Sequence, residues 1–321
     1  MKLQRFALAL AGAGLLAASV SSVPAFAGKP DPEGHTFVKS VQPNKIRTKA
    51  ADAGEPCLSA VMVPTAAGTV QEIDSIPGRH IESYSDTPSK FVGTRADTTW
   101  YGAVNASGTQ VYFYGLLLQG ASLYRHTSLL RDNGETGVWS STFKKVGTGW
   151  TSFKSISTSN YSVAGPTHAY LYGLNTNGSL YRYQIVGAGF RALGPLPGFK
   201  GFKAMTVISE TATYDTLLMT TNAGALWSVH IPVAAGAKPV LKLIRSSGWA
   251  DYESLVVQGC GTRGGSLIAA VDNNTQSGTL YAMSKANGAG TAITSYGKIP
   301  AVFNGVDHVS ITTHYDQLVG E

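Results

Sequence analysis

Charge is scarce in this chain: Asp, Glu, Lys and Arg together make up 14% of it. The basic residues are dispersed and form no stripe, which argues against a nucleic-acid-binding face. The formal net charge is +6, or +4 once Lys2 and Arg5 are set aside, a mildly basic solvated surface. The seven histidines (His35, His80, His126, His168, His230, His308 and His314) show no ligand spacing on a helical pattern, and there is no His-Glu-x-x-His. No metal and no cofactor are therefore expected. Gly-x-Ser-x-Gly is missing too, and runs such as Gly264-Gly265 precede no helix that would cradle phosphate. Long helical periodicity is absent, and beyond Val20 no apolar run is long enough to span a bilayer.

What is present begins with Lys2 and Arg5, an apolar run from Phe6 to about Val20, and Ala25-Phe26-Ala27. This pattern reads as a secretory signal peptide over residues 1–27, with a secreted mature chain and no membrane insertion after cleavage. Residues 28–56 are polar and proline-containing and read as an extended arm or linker. From Cys57 to Glu321 the composition shifts to Gly, Ser, Thr, Tyr and Val, as expected of one large all-β domain. In an exported chain the two cysteines, Cys57 and Cys260, are expected to pair.

The stretch Tyr170–Tyr183, YLYGLNTNGSLYRY, shows the local logic. Tyr170, Tyr172 and Leu174 share one face of a strand, with Leu171 and Gly173 on the other. Asn177-Gly178 is expected to supply the positive φ angles of a tight hairpin. The unit recurs. Leu123-Tyr124, Leu180-Tyr181, Leu226-Trp227 and Leu280-Tyr281 each follow a glycine, Gly68-Thr-Val70 is a weaker echo, and each has an apolar strand before it.

A second landmark alternates with the first: Gly149-Trp150-x-x-Phe153, Gly198-Phe199-x-x-Phe202, Gly248-Trp249-x-x-Tyr252 and Val302-Phe303-x-x-Val306. Trp100-Tyr101 is expected to hold this place in the first repeat. The anchors then stand at 100, 150, 199, 249 and 303, spaced by 50, 49, 50 and 54 residues. Four short strands with their turns consume about fifty residues. Five such repeats predict a five-bladed β-propeller, closed so that no long edge is left exposed. The repeated aromatics are then mostly packing between blades. One large aromatic buries about 150–250 Å², worth roughly 4–6 kcal/mol as an upper estimate.

The order of landmarks from Gly149 to Tyr183, GWTSFKSIST, then YLYGL, then NTNGSLYRY, resembles the tachylectin-type β-propeller lectins. The resemblance implies a five-bladed propeller that binds carbohydrate, with N-acetylated sugars as the usual ligands. It also implies a sugar-facing loop with an Asp-Asn-Trp step before the Gly-Trp. Here Asp132, Asn133 and Trp139 match that step, with an insertion before Trp139. Asp accepts from hydroxyls, Asn donates and accepts, and an indole offers a flat apolar face. The same residues also read as a solvated turn beside a packing tryptophan. The other repeats lack the Asp-Asn pair, so one site is expected rather than five.

The favoured reading is a secreted, non-catalytic lectin whose partner is a carbohydrate or glycoconjugate. Two alternatives stay open: a protein-binding propeller in an extracellular assembly, and a glycoside hydrolase on the same scaffold. The hydrolase needs two carboxylates about 5–10 Å apart. Asp215 and Asp272 flank apolar strands and are the candidates, although turn-capping is the commoner task of such residues.

Overall fold

The computed structural model describes residues 37–38, 57–77, 79–85, 90–105, 110–132, 137–162, 165–260, 265–305, 307–313 and 317–321. The segment read as a signal peptide lies outside them. Within the arm the described residues form strand β1 (Phe37–Val38). The chain continues through β2 (Ser59–Pro64), β3 (Val70–Ile76), β4 (Arg79–Ser85), β5 (Thr94–Asp97), β6 (Trp100–Asn105), β7 (Gln110–Gln119), β8 (Ser122–Asp132) and β9 (Gly137–Thr148). Three units follow: β10 (Phe153–Tyr161), β11 (His168–Asn175), β12 (Ser179–Val186) and β13 (Gly189–Pro197); then β14 (Phe202–Glu210), β15 (Tyr214–Thr221), β16 (Leu226–Pro232) and β17 (Val240–Arg245). The third comprises β18 (Ser254–Gly259), β19 (Ser266–Asp272), β20 (Ser277–Met283) and β21 (Ile293–Ile299), and β22 (Val309–Thr313) ends the series. The described residues contain no helix, so the fold is all-β.

Each of the three units is a four-stranded antiparallel sheet in sequence order. The remaining ten strands form one sheet, because β22 pairs antiparallel with β2 and parallel with β6. The first strands of the units lie side by side: β5 against β10, β10 against β14, β14 against β18, and β18 against β22 and β2. The sheets are therefore arranged radially, with the last strand returning to the first sheet.

Hydrophobic clusters fill the spaces between successive sheets. Tyr170, Tyr172 and Leu174 pack with Phe199, Phe202, Leu217 and Met219 of the next unit. Leu171, from the opposite face of the same strand, packs with Trp150, Leu116 and Leu123 on the other side. The period-two alternation of β11 thus splits its side chains between two interfaces. Equivalent clusters join Leu218 to Trp249, Val256 to Val61, and Met62 to Trp100. The Cys57–Cys260 disulfide, with Cα atoms 5.4 Å apart, lies beside the cluster between the β18–β21 sheet and β2, as expected from the sequence.

Two local expectations are corrected. The hairpin after Leu174 closes with positive φ at Gly178 (87°) alone, Asn177 staying in the ordinary region. The turn is longer than a two-residue hairpin, since the last paired residues are Leu174 and Leu180. A Cβ at Gly178 would meet the Lys200 Cβ at 2.9 Å, because the Phe199 N–H comes in to donate to the Gly178 carbonyl.

The second correction concerns Trp100, which is not an anchor of the repeated turn. It lies inside β6, and its Nε1 donates to Asp97. Phe91 holds the anchor position: Thr94 N–H donates to the Phe91 carbonyl, as Phe153 does to Trp150 and Phe202 to Phe199. The first spacing is then 150 − 91 = 59 residues. The even series was misleading because β7, β8 and β9, at 10, 11 and 12 residues, lengthen this unit.

Candidate functional site

The β8–β9 hairpin carries the residues singled out by sequence. Asp132 ends β8 and pairs with Gly137, while Trp139 in β9 pairs with Leu130. Asp132 is two residues on from Leu130, so Asp132 and Trp139 have the same parity on the ribbon. The ladder therefore brings these two positions together across the intervening insertion. Asn133 lies outside the described residues.

A second candidate opens on the central axis, where the first strands begin. It is a cavity of about 210 Å³ lined by Arg95, Lys154, Lys203, Glu253, Asp307 and His308 among others. The three cations occupy equivalent positions just after the anchor turns. Each reaches to the next unit: Arg95 donates to the Trp150 and Phe153 carbonyls, Lys154 to Phe202, and Lys203 to Ala250. Lys203 also pairs with Glu253 at 3.0 Å. These contacts tie the start of each first strand to the turn of the next unit. The sequence carried this signal as Phe153-Lys154, Phe202-Lys203 and Thr94-Arg95, and it was missed because the residues are spread over more than a hundred positions.

Deeper in, Asp97 accepts from Thr98 N–H and Trp100 Nε1. Burial raises its carboxyl, with His126 opposing. Burial, reinforced by the Asp97 charge, holds Asp307 well above the usual carboxylate range. His308 is pushed down to about 3 by burial and is a neutral imidazole.

The opposite ends of the inner strands hold a different cluster. Asp215 is fully buried and accepts from Ser159 Oγ at 2.5 Å and Tyr172 Oη at 2.8 Å, with His168 Nε2 at 2.9 Å. Its cross-strand partner Glu210 accepts the Asn160 N–H and is pushed up to about 8, by burial first and then by Asp215. Residues 317–321 run over this end, where Leu318 accepts from Glu210 N–H and Glu321 meets Thr216 and His230.

Asp272 sits instead at the cavity end, at the close of β19, and caps its turn through Asn274 N–H and Thr275. Asp215 and Asp272 thus lie at opposite ends of the inner strands and do not form the acid–base pair considered from sequence. The seven residue-to-residue steps from Lys203 to Glu210 alone span roughly 23 Å at about 3.3 Å each.

No family model and no curated protein matches the chain. Solved structures with some likeness include the SapL1 lectin bound to α-methyl fucoside, at 14% identity and a TM-score of 0.38 over 74% of this chain and 75% of that one. A triple mutant of AofleA from Arthrobotrys oligospora gives 15% identity and a TM-score of 0.42 over 80% of this chain and 72% of that one. The Aleuria aurantia lectin, described as a six-bladed β-propeller that recognises fucose, gives 12% and 0.41 over 76% and 78%.

Proposed function

We propose that this chain is an exported, non-catalytic, carbohydrate-binding protein whose residues 57–321 form a five-bladed β-propeller. The five hydrophobic clusters between successive units support the blade count. On this reading the ten-stranded sheet is two blades joined by β22.

The sugar site is the β8–β9 hairpin, with Asp132 and Asn133 as hydrogen-bonding groups and Trp139 as the apolar platform. The observation that carries it is the shared parity of Asp132 and Trp139 on the ladder. At 11 and 12 residues this hairpin is also built from the longest described strands, which extends its tip. N-acetylated sugars are the expected ligand class. A single such site gives weak monovalent binding, and avidity would have to come from assembly.

A glycan array probed with the whole exported chain tests this reading, with a reducing-sugar assay on a polysaccharide panel beside it. Binding to N-acetylated glycans without sugar release is expected. Sugar release would replace the lectin with a hydrolase, and a blank array would remove the carbohydrate reading.

A further inference from the structure

The charges of this chain are sorted by depth. Asp74, Asp97, Glu210 and Asp215 are buried, and Glu253 lines the axial cavity. Among the residues of described exposure, Asp251 is the only Asp or Glu that stands exposed. The cations lie on the outside: Lys144, Lys145, Arg191, Lys242 and Lys298 are all exposed. The basic residues are dispersed along the sequence, and the fold gathers them.

These five cations sit on outer strands. β9, β13, β17 and β21 each stand last in their sheet, farthest from the first strands around the axis, so they form part of the perimeter. Lys144 and Lys145 are on β9, Arg191 on β13, Lys242 on β17 and Lys298 on β21, and none of the four strands carries Asp or Glu. Lys144 and Lys242 stand at the same height. Each is opposite the residue that follows a repeated Leu-aromatic pair, Arg125 after Tyr124 and Ser228 after Trp227. Lys242 has a Glu321 oxygen at 3.8 Å. Among the described residues the other four cations have no carboxylate within 4.0 Å. Burial raises Asp97, Glu210 and Asp307, so the formal charge understates the positive field that solvent meets.

A perimeter of one sign selects an anion long enough to pass from blade to blade. The strands narrow the choice further. Each leaves the N–H and C=O groups of its outer edge without a strand partner, open to hydroxyls. Exposed Leu193, Leu241 and Leu243 stand among the cations and offer contact to the C–H faces of sugar rings. A lipid interior would leave the edge groups unsatisfied. A single-stranded nucleic acid asks for exposed aromatic platforms, and among the described side chains of these strands only Tyr296 is one.

We infer that the outer strands are a docking surface for an acidic polysaccharide, a chain of sugars that bear carboxylate or sulfate groups. Lys144, Lys145, Arg191 and Lys298 meet its anions as it runs across the perimeter. This surface does not depend on the sugar reading of the β8–β9 hairpin.

Calorimetric titration of the full chain with heparin, at low and at physiological salt, tests it. Neutral dextran, phosphatidylglycerol vesicles and oligo-dT are the comparisons. Heparin should bind more tightly than any of them, and its affinity should fall steeply with salt as counterions are released. Lys144→Gln, Lys145→Gln, Arg191→Gln and Lys298→Gln should each weaken heparin about twofold, and all four together about tenfold or more, with a shallower salt dependence. Lys144→Arg, Lys145→Arg, Arg191→Lys and Lys298→Arg together keep the charges and should bind like the wild type. Lys200→Gln with Lys285→Gln removes two exposed cations outside these strands and should cost less than about twofold. The fourfold neutral variant should still unfold cooperatively and bind an N-acetylated glycan of the array as before. Absence of heparin binding, a fourfold neutral variant that binds like the wild type, a Lys200 and Lys285 pair that costs as much as two rim substitutions, or vesicles or oligo-dT bound as tightly as heparin would each overturn the assignment.

Discussion

Glu210 and Asp215 face each other directly across β14 and β15, two buried carboxyls on paired residues. Asp215 collects the donors, and Glu210 is left with the proton up to about pH 8. Its folded pKa lies above the ordinary glutamate value of 4.5, so the native state holds a proton that the unfolded state releases. This contribution is therefore fully present below about pH 4.5 and is lost as pH rises towards 8, at roughly 1 kcal/mol per pH unit. Glu210→Gln should flatten that dependence and make the chain more resistant to urea at pH 8 than the wild type. Parallel urea midpoints for the two proteins between pH 5 and 8 would reveal a Glu210 that is ionised throughout.

Phe91 should behave as an anchor in the same sense as Trp150. Both are buried and both accept the N–H of the residue three further on. Phe91→Ala and Trp150→Ala should each cost about 3–5 kcal/mol in equilibrium unfolding. A Phe91→Ala chain of wild-type stability would put the anchor of this blade elsewhere.

Cys57 and Cys260 should show no free thiol when the unfolded, unreduced chain is labelled. They close a loop with a sequence separation of 203. Reduction should lower stability by up to about 5 kcal/mol on the chain-entropy model. Two labelled thiols would show that the first and last blades are not covalently joined.

The hairpin site makes a sharper demand. Asp132→Ala, Asn133→Ala and Trp139→Ala should each weaken binding to a glycan found on the array, by a few-fold to tenfold for the polar pair. Urea unfolding of each variant should stay cooperative, so that lost binding can be read apart from lost folding. Lys242→Ala and Thr294→Ala, in blades without the Asp-Asn step, should bind like the wild type. Equal binding by Asp132→Ala would move the site off this hairpin.

Much of the architecture was legible because packing between blades imposes a strong, repeated signal. Trp150, Phe199, Trp249 and Phe303 are large aromatics at one place in every turn, and each is buried. Alternation in Tyr170–Leu174 foretold two separate interfaces for one strand. The place held by Phe91 was hidden because a nearby buried tryptophan, Trp100, happened to fit the period better. Side-chain convergence across blades was marked only by a basic residue four positions after each of Phe91, Trp150 and Phe199. Arg95, Lys154 and Lys203 come together only through radial closure, which the shared offset does not itself reveal. Asp215 looked like a strand-flanking aspartate, yet it is the hub of a buried network with donors from residues 43 to 56 positions away.

The position of β22 governs when the ring can close. This strand is inserted between β2 and β6, antiparallel to one and parallel to the other. A chain emerging N-terminus first would have its first two blades formed yet unjoined until residues 309–313 arrive. Pairings of this sequence separation must meet the loop-closure entropy before any contact repays it, which makes them slow. Until then the edges of β2 and β6 stand open side by side and would accept a strand from another molecule as readily as their own. Crowding during synthesis should therefore favour strand-exchanged oligomers over simple misfolding, and a holding chaperone for this chain would need to act on that one gap.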